Sequence, residues 1–256
     1  MNIISSLLGG LLSSEKELDI KKLPSQGLFY KDDFRIYIKK ANMEDIIRYE
    51  HNFVKDIGVI ISKIKKIVEN NIKLSKKYKY DDIKSIDIVY IFLEIVKFTN
   101  KHSISLSYYD ELNNEEKSIE FSSKYFNYFK INDELMSKYN NKEKCFEINN
   151  YRYSLPSIGI ENSLTSYLTI KSYEPGAEKY NNYFYDFTYF LGDKNKLSIE
   201  EVDNLIQIFN FDIEEEELGK VKQIIQTFEP LQRYSLIDGD TQIDLSSKID
   251  LSKVWK

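Results

Sequence analysis

The stretch "IDIVYIFLEIVKF", residues 86–98, constrains this chain more than any other. Within a helical pattern running from Tyr80 to Lys101, Ile83, Ile86, Val89, Ile91, Phe92, Ile95, Val96 and Phe98 surround much of the helix. A helix that is apolar on most sides must be covered on most sides, so other elements have to fold around it. The chain has 256 residues, of which 42% are apolar, which is enough for one large domain or two small ones. No Gly/Ser-rich linker separates the elements, and one domain is the preferred reading.

The elements available to cover that helix alternate in type. "DFRIYIKK" sets Phe34, Ile36 and Ile38 against Arg35, Tyr37 and Lys39, the pattern of a half-buried strand. Asn42 offers a side-chain oxygen to open a helix, with Glu44 and Asp45 suited to its positive end. "NFVKDIGVIISKIKKIVENNIKL" reads as a long amphipathic helix through Ile72. The middle then changes to period two. "SISLSYYD" and "KSIEFSS" flank "ELNNEE" as one hairpin, and "KCFEINNYRYSL" is a tighter one turning at Asn149–Asn150. A helix is expected from Ser157 or Gly159, another in the aromatic segment 180–193, one opened by a Ser198/Glu201 capping box, and one capped by Asp212. "YSLIDGDTQIDL" closes the pattern as a hairpin with Asp238–Gly239 at its turn. The expected class is α+β: a helical core with antiparallel hairpins in the middle and near the C-terminus. The expected organisation is an apolar N-terminal docking arm, residues 1–14, and a single domain over 15–256.

That arm places Ile3, Ile4, Leu7, Leu8, Leu11 and Leu12 on one stripe at helical spacing. Gly9 and Gly10 interrupt it, each costing roughly 1 kcal/mol in a helix interior. A loose tail and an arm ordered by docking, on a partner or on the chain's own body, are both open. The segment lacks the basic start and small-residue cleavage site of a signal peptide. No run of about 18 apolar residues predicts a membrane span.

Charge and chemistry narrow the function. Thirty-six basic residues against 41 acidic give a net charge of −5, unlike a general nucleic-acid binder. Cys145 is the sole cysteine, so no intrachain disulfide forms. His51 and His102 have no second ligand at metal spacing. "GGLLSSEK" and "PGAEK" lack the spacing of a phosphate loop, and no G-x-S-x-G elbow occurs. "DGDTQID" lacks the order of a calcium loop, and the four acids 214–217 suit a helix start. No cofactor or metal is expected, and the chain is read as not an enzyme, an acid-only site being the reading held against this.

The last feature is "LPSQGLFY", residues 23–30. Leu23 precedes proline and should be extended; Pro24 suits the second position of a turn that Gly27 can close. Leu28, Phe29 and Tyr30 then anchor the bend, either to the core, which is favoured, or to a neighbour. "LPSIG" at 155–159 echoes the motif and is read as a chance repeat that introduces a helix.

"LPSQGLFY" followed by "FRIYIKKANMEDIIRYE" resembles the start of the baseplate hub proteins of T-even-type contractile-tailed bacteriophages. In that family an LPS-x-G-x-x-Y motif leads into a strand and then an acidic helix start, here "MEDII" at 43–47. "IDIVYIFLEIVKFTNKHSISLSY" is similar to the family's following helix and β-rich middle, and Pro156, Ile158 and Glu161 match its later P-x-I-x-x-E step. Relatives often carry cysteine pairs where this chain has only Cys145, so no metal knuckle is carried over. The resemblance implies a non-enzymatic structural or assembly protein of the baseplate hub, located in the virion tail and, during assembly, in the host cytoplasm. Its partners would be other baseplate or tail proteins, without nucleic acid or membrane and with self-association open. A transient tail-assembly chaperone is the alternative. Twenty tyrosines and fifteen phenylalanines suit large interfaces. The candidate contact residues are Ile3, Ile4, Leu7, Leu8, Leu11, Leu12, Leu28, Phe29, Tyr30 and Trp255.

Overall fold

In a computed structural model, the residues described are 14–50, 56–110, 113–125, 131, 133–148, 151–173, 194–207, 219, 222, 226, 235–238, 241–244 and 254–255. The arm residues Ile3 to Leu12, the Asn149–Asn150 turn, the aromatic segment 180–193 and the Asp212 cap lie outside them.

The chain is α+β, as its alternating periods predict. Strand β1 (Glu15–Glu17) and strand β2 (Ile36–Lys39) pair antiparallel, with Glu15 opposite Lys39. Helix α1 (Met43–Glu50) and helix α2 (Ile57–Asn71) follow, and β3 (Ile72–Leu74) returns to the other edge of β2. Helix α3 (Ile88–Asn100) leads to the hairpin β4 (Ser105–Asp110) and β5 (Glu115–Glu120). A short helix α4 (Asp133–Met136) precedes a second antiparallel sheet of β6 (Tyr139–Asn140), β7 (Cys145–Ile148) and β8 (Tyr151–Tyr153). Helices α5 (Ile158–Lys171) and α6 (Ile199–Gln207) and the hairpin β9 (Ser235–Asp238) with β10 (Thr241–Asp244) complete the described elements.

Helix α3 is the centre of the core. Every residue from Ile88 to Val96 is buried. Its one acid there, Glu94, accepts from Lys16 Nζ at 2.7 Å, so the charge is not left unpaired. Ile36, Ile38 and Phe34 press on it from the sheet, and Ile64, Ile67 and Val68 from α2. A smaller cluster of Ile160, Leu164, Tyr167, Leu197 and Val202 joins α5 to α6.

Several starts follow from their residues. Asn42 Oδ1 accepts from Asp45 N at 2.9 Å at the head of α1, and Ser157 Oγ accepts from Ile160 N at the head of α5. Ser198 and Glu201 exchange both bonds of the capping box: Ser198 N donates to Glu201 Oε2 at 2.8 Å and Glu201 N to Ser198 Oγ at 3.2 Å.

Three boundaries differ from the sequence expectation. Residues 80–87 form two 3-10 turns, and α3 starts only at Ile88. The amides an α-helix would need here are taken by distant segments: Lys84 N donates to Tyr30 Oη and Ser85 N to Pro156 O. Ile72 to Leu74 leave the α2 pattern because their backbone completes the ladder against β2. In the last hairpin Asp238 pairs with Thr241, so Asp238 belongs to the ladder and not to the turn.

Candidate functional site

The LPSQG turn has Pro24 where the sequence expects it but closes at Gln26, one residue before Gly27. Leu23 is extended (φ −65°, ψ 154°), and its carbonyl accepts from Gln26 N at 2.8 Å, which puts Pro24 at the second position of the turn. Gln26 (φ 53°) and Gly27 (φ 73°) then take left-handed backbone. At Gly27 a Cβ would also lie 3.2 Å from Ile20 O, so glycine serves both the conformation and the approach of the preceding loop.

Behind the turn lies a polar clasp. Asp87 is fully buried. Its Oδ1 accepts from Ser25 N at 2.8 Å, and its Oδ2 accepts from Ser25 Oγ at 2.7 Å and from Tyr30 Oη at 2.7 Å. Tyr30 Oη in turn accepts from Lys84 N at 2.9 Å. Burial raises the Asp87 carboxyl to about 6, against the opposing pull of these donors and of the Lys84 charge. Burial, together with the Asp87 charge, holds the Tyr30 phenol well above its ordinary range, so it remains the donor of the pair.

The echo at 155–159 docks on the same stretch. Ile158 N donates to Ile83 O at 2.8 Å, and Pro156 O accepts from Ser85 N at 3.0 Å and Ser85 Oγ at 2.9 Å. Lys84 Nζ donates to Ser154 Oγ at 3.1 Å and Leu155 O at 2.9 Å. Residues 83–87 are therefore clamped by both copies of the motif.

In front of the turn is a cleft of about 400 Å³. Its walls are the Glu17–Lys21 loop, Gln26 to Leu28, and Tyr139, Asn141 and Lys144 from the β6–β7 sheet. Its charges are balanced and largely paired. Arg35 Nε lies 3.4 Å from Glu17 Oε1, and Lys144 Nζ lies 2.8 Å from Asp32 Oδ1. The Lys144 hydrogen bond holds the Asp32 carboxyl below its usual range. A general acid needs a carboxyl raised toward neutrality and open to substrate. Asp87 is raised, but the turn seals it from the cleft, and its hydrogen bonds make it an anchor.

The candidate contact residues divide. Phe29 and Tyr30 are 6% and 3% exposed and belong to the chain's own packing. Phe29 meets the rings of Tyr139 and Phe146 edge-on at 6.3 and 5.9 Å, and Tyr30 stacks on Phe34 at 4.3 Å. Leu28 is half-buried on the cleft wall, its carbonyl accepting from Tyr139 Oη. Trp255 packs edge-on against Tyr49 and Phe92 at 6.4 and 5.8 Å, so this aromatic joins the α3 core. The rings of Phe29, Tyr30 and Trp255 are thus packed within the chain, and for Phe29 and Tyr30 this is the favoured core anchor. Ser25, Lys84 and Asp87 carry no motif of their own in the sequence; the one available signal was Ser25 and Tyr30 inside the LPS-x-G-x-x-Y pattern.

Cys145 is buried in β7, and His102 is exposed just beyond α3. Among the described residues no cluster of three His, Cys, Asp or Glu side chains could hold a metal ion, and no helix is long and apolar enough to cross a membrane. No protein-family model, curated protein or solved structure matches this chain.

Proposed function

We propose that this chain is a non-enzymatic structural or assembly component of a contractile-tail baseplate hub, working through contacts with other baseplate or tail proteins. The observation that carries the reading is the LPS-x-G-x-x-Y motif and the work its residues do. Leu23 is fully buried, Ser25 and Tyr30 hold Asp87, and Gly27 takes φ 73°. Each motif residue shapes a fixed bend beside a cleft, and none is presented as a nucleophile, base or ligand. A motif spent on rigidity suits a protein whose task is to present surfaces. Exposed apolar side chains offer such surfaces: Met43 and Ile47 on α1, Tyr109 on β4, and Ile170 and Tyr173 at the end of α5.

Mass spectrometry of purified mature tails tests the reading. Stoichiometric copies of this chain are expected. Its absence from tails that assemble only when it is expressed would replace the structural role by that of a transient chaperone.

A further inference from the structure

The cleft beside the LPSQG turn has walls whose shape is set by the fold itself. Of the five residues with left-handed backbone among those described, Gln26, Gly27 and Lys144 line it. Such backbone persists only where its surroundings over-determine it. Here they do: Lys144 N donates to Asn140 O at 2.7 Å, and Gly27 N donates to Ser25 Oγ at 3.3 Å. Tyr139 Oη donates to Leu28 O and ties the β6–β7 sheet to the turn. A site formed in advance spends little affinity on ordering its own groups.

The polar groups on these walls come as pairs. Arg35 Nε lies 3.4 Å from Glu17 Oε1, and Lys144 Nζ lies 2.8 Å from Asp32 Oδ1 and donates to Asn141 Oδ1 at 2.8 Å. Three carboxylates and three cations line the cleft, so its field favours a ligand of neither sign. A charged ligand would have to break a pair to enter. A hydroxyl differs, because it donates and accepts at one atom. It can bridge the oxygen and the nitrogen of one pair without separating them, whereas an amide carries the two functions on separate atoms. Ile20, Leu28 and Tyr139, all half-buried, add apolar surface to the same walls. The volume of about 400 Å³ lies at the small end of the range for small-molecule sites, roughly 300–1,000 Å³.

We propose that this cleft binds a neutral, hydroxyl-rich ligand, the terminal rings of a carbohydrate. The Arg35–Glu17 and Lys144–Asp32 pairs each take a hydroxyl, and the C–H faces of the rings lie against Leu28 and Tyr139. The inference goes beyond the baseplate reading and does not rest on it.

An array of neutral and anionic glycans, probed with the labelled full-length chain, tests it, followed by calorimetric titration with the neutral glycan bound best. That glycan should bind with a Kd on the order of 1 mM or below. Asp32→Asn and Glu17→Gln each remove the charge of one pair, and these side chains are 91% and 49% exposed, so thermal unfolding should change little. Each variant should weaken the glycan about tenfold, the loss of one hydrogen bond to a charged group. Binding of no glycan, or of anionic glycans alone, overturns the proposal. So does wild-type affinity in both variants, which places the bound glycan elsewhere on the chain. Capture of random-library peptides by a chain that takes no glycan overturns it as well and assigns the cleft to a protein segment.

Discussion

The two LPS-x-G segments meet the same partner, residues 83–87, and use the same residue types for different physical purposes. In LPSQG, Ser25 gives both its amide and its hydroxyl to a buried carboxylate. In LPSIG, Ser157 Oγ caps the α5 backbone, and the contact to 83–87 is made by main chain, through Pro156 O and Ile158 N. The glycines differ as sharply. Gly27 is required first by a left-handed φ of 73°, a Cβ there meeting Ile20 O at a milder 3.2 Å. Gly159 is helical and is required by space: a Cβ there would lie 2.1 Å from Asn195 O and 2.8 Å from Asp81 Cβ. A shared motif thus fixes composition without fixing mechanism. The side chain of Ser25 makes the first copy a polar clasp, and the backbone of the second makes it a helix start held against a bridge.

The largest expected effect separates the copies at their common partner. Asp87→Ala leaves Ser25 N, Ser25 Oγ and Tyr30 Oη without an acceptor in a buried site, and should cost on the order of 4 kcal/mol. Urea unfolding measures it; a loss under about 1 kcal/mol would show that the clasp contributes little and that the main-chain side of the comparison holds residues 83–87 alone.

Next in size is the paired replacement of the glycines by alanine. In an ordinary helix Gly→Ala gains about 1 kcal/mol, yet Gly159→Ala should lose roughly 3 kcal/mol, because the obstructing atom is backbone. Gly27→Ala should lose about 1–2 kcal/mol through backbone strain, and Gly27→Asn less, since asparagine tolerates left-handed φ. Gly159→Asn has no such relief. Thermal unfolding of the four variants checks the order; equal responses to asparagine at both sites would erase the distinction between conformation and space.

The smallest effect is the pH dependence of the clasp. Asp87 titrates near 6 in the folded chain, above the ordinary carboxyl value near 4 in the unfolded one. The folded state therefore holds this proton more tightly. The associated stability is fully present below about pH 4 and is lost as pH rises through about 6. Asp87→Asn, which carries no proton to lose, should show a flatter stability profile between pH 4 and 7 than the wild type. Identical slopes in denaturant titrations would place the titrating group elsewhere.

Much of the fold was legible because it depends on local chemistry. Asn42, Ser157 and the Ser198/Glu201 pair satisfy amides within three residues of themselves, so their helix starts need no distant information. The hairpins β4–β5 and β7–β8 follow from alternation. What departs from the sequence expectation is decided at long range. Ile83 and Ile86 keep helical spacing with α3, so the period carried the expected helix back to Tyr80. Tyr30 reads as an apolar anchor by its position behind the turn, yet its hydroxyl bridges Asp87 and Lys84 N.

By itself, the sequence determined that a nearly all-apolar helix must sit at the centre of an α+β fold, and where most flanking elements cap and turn. Those outcomes rest on burial and on bonds between near neighbours. Only the tertiary structure decided that Asp87 is an internal anchor, that both LPS-x-G segments clamp one stretch, and that α1 faces Met43 and Ile47 outward. Each of these depends on which distant donor reaches a backbone or carboxylate group first, and a linear pattern of residue types does not encode that competition.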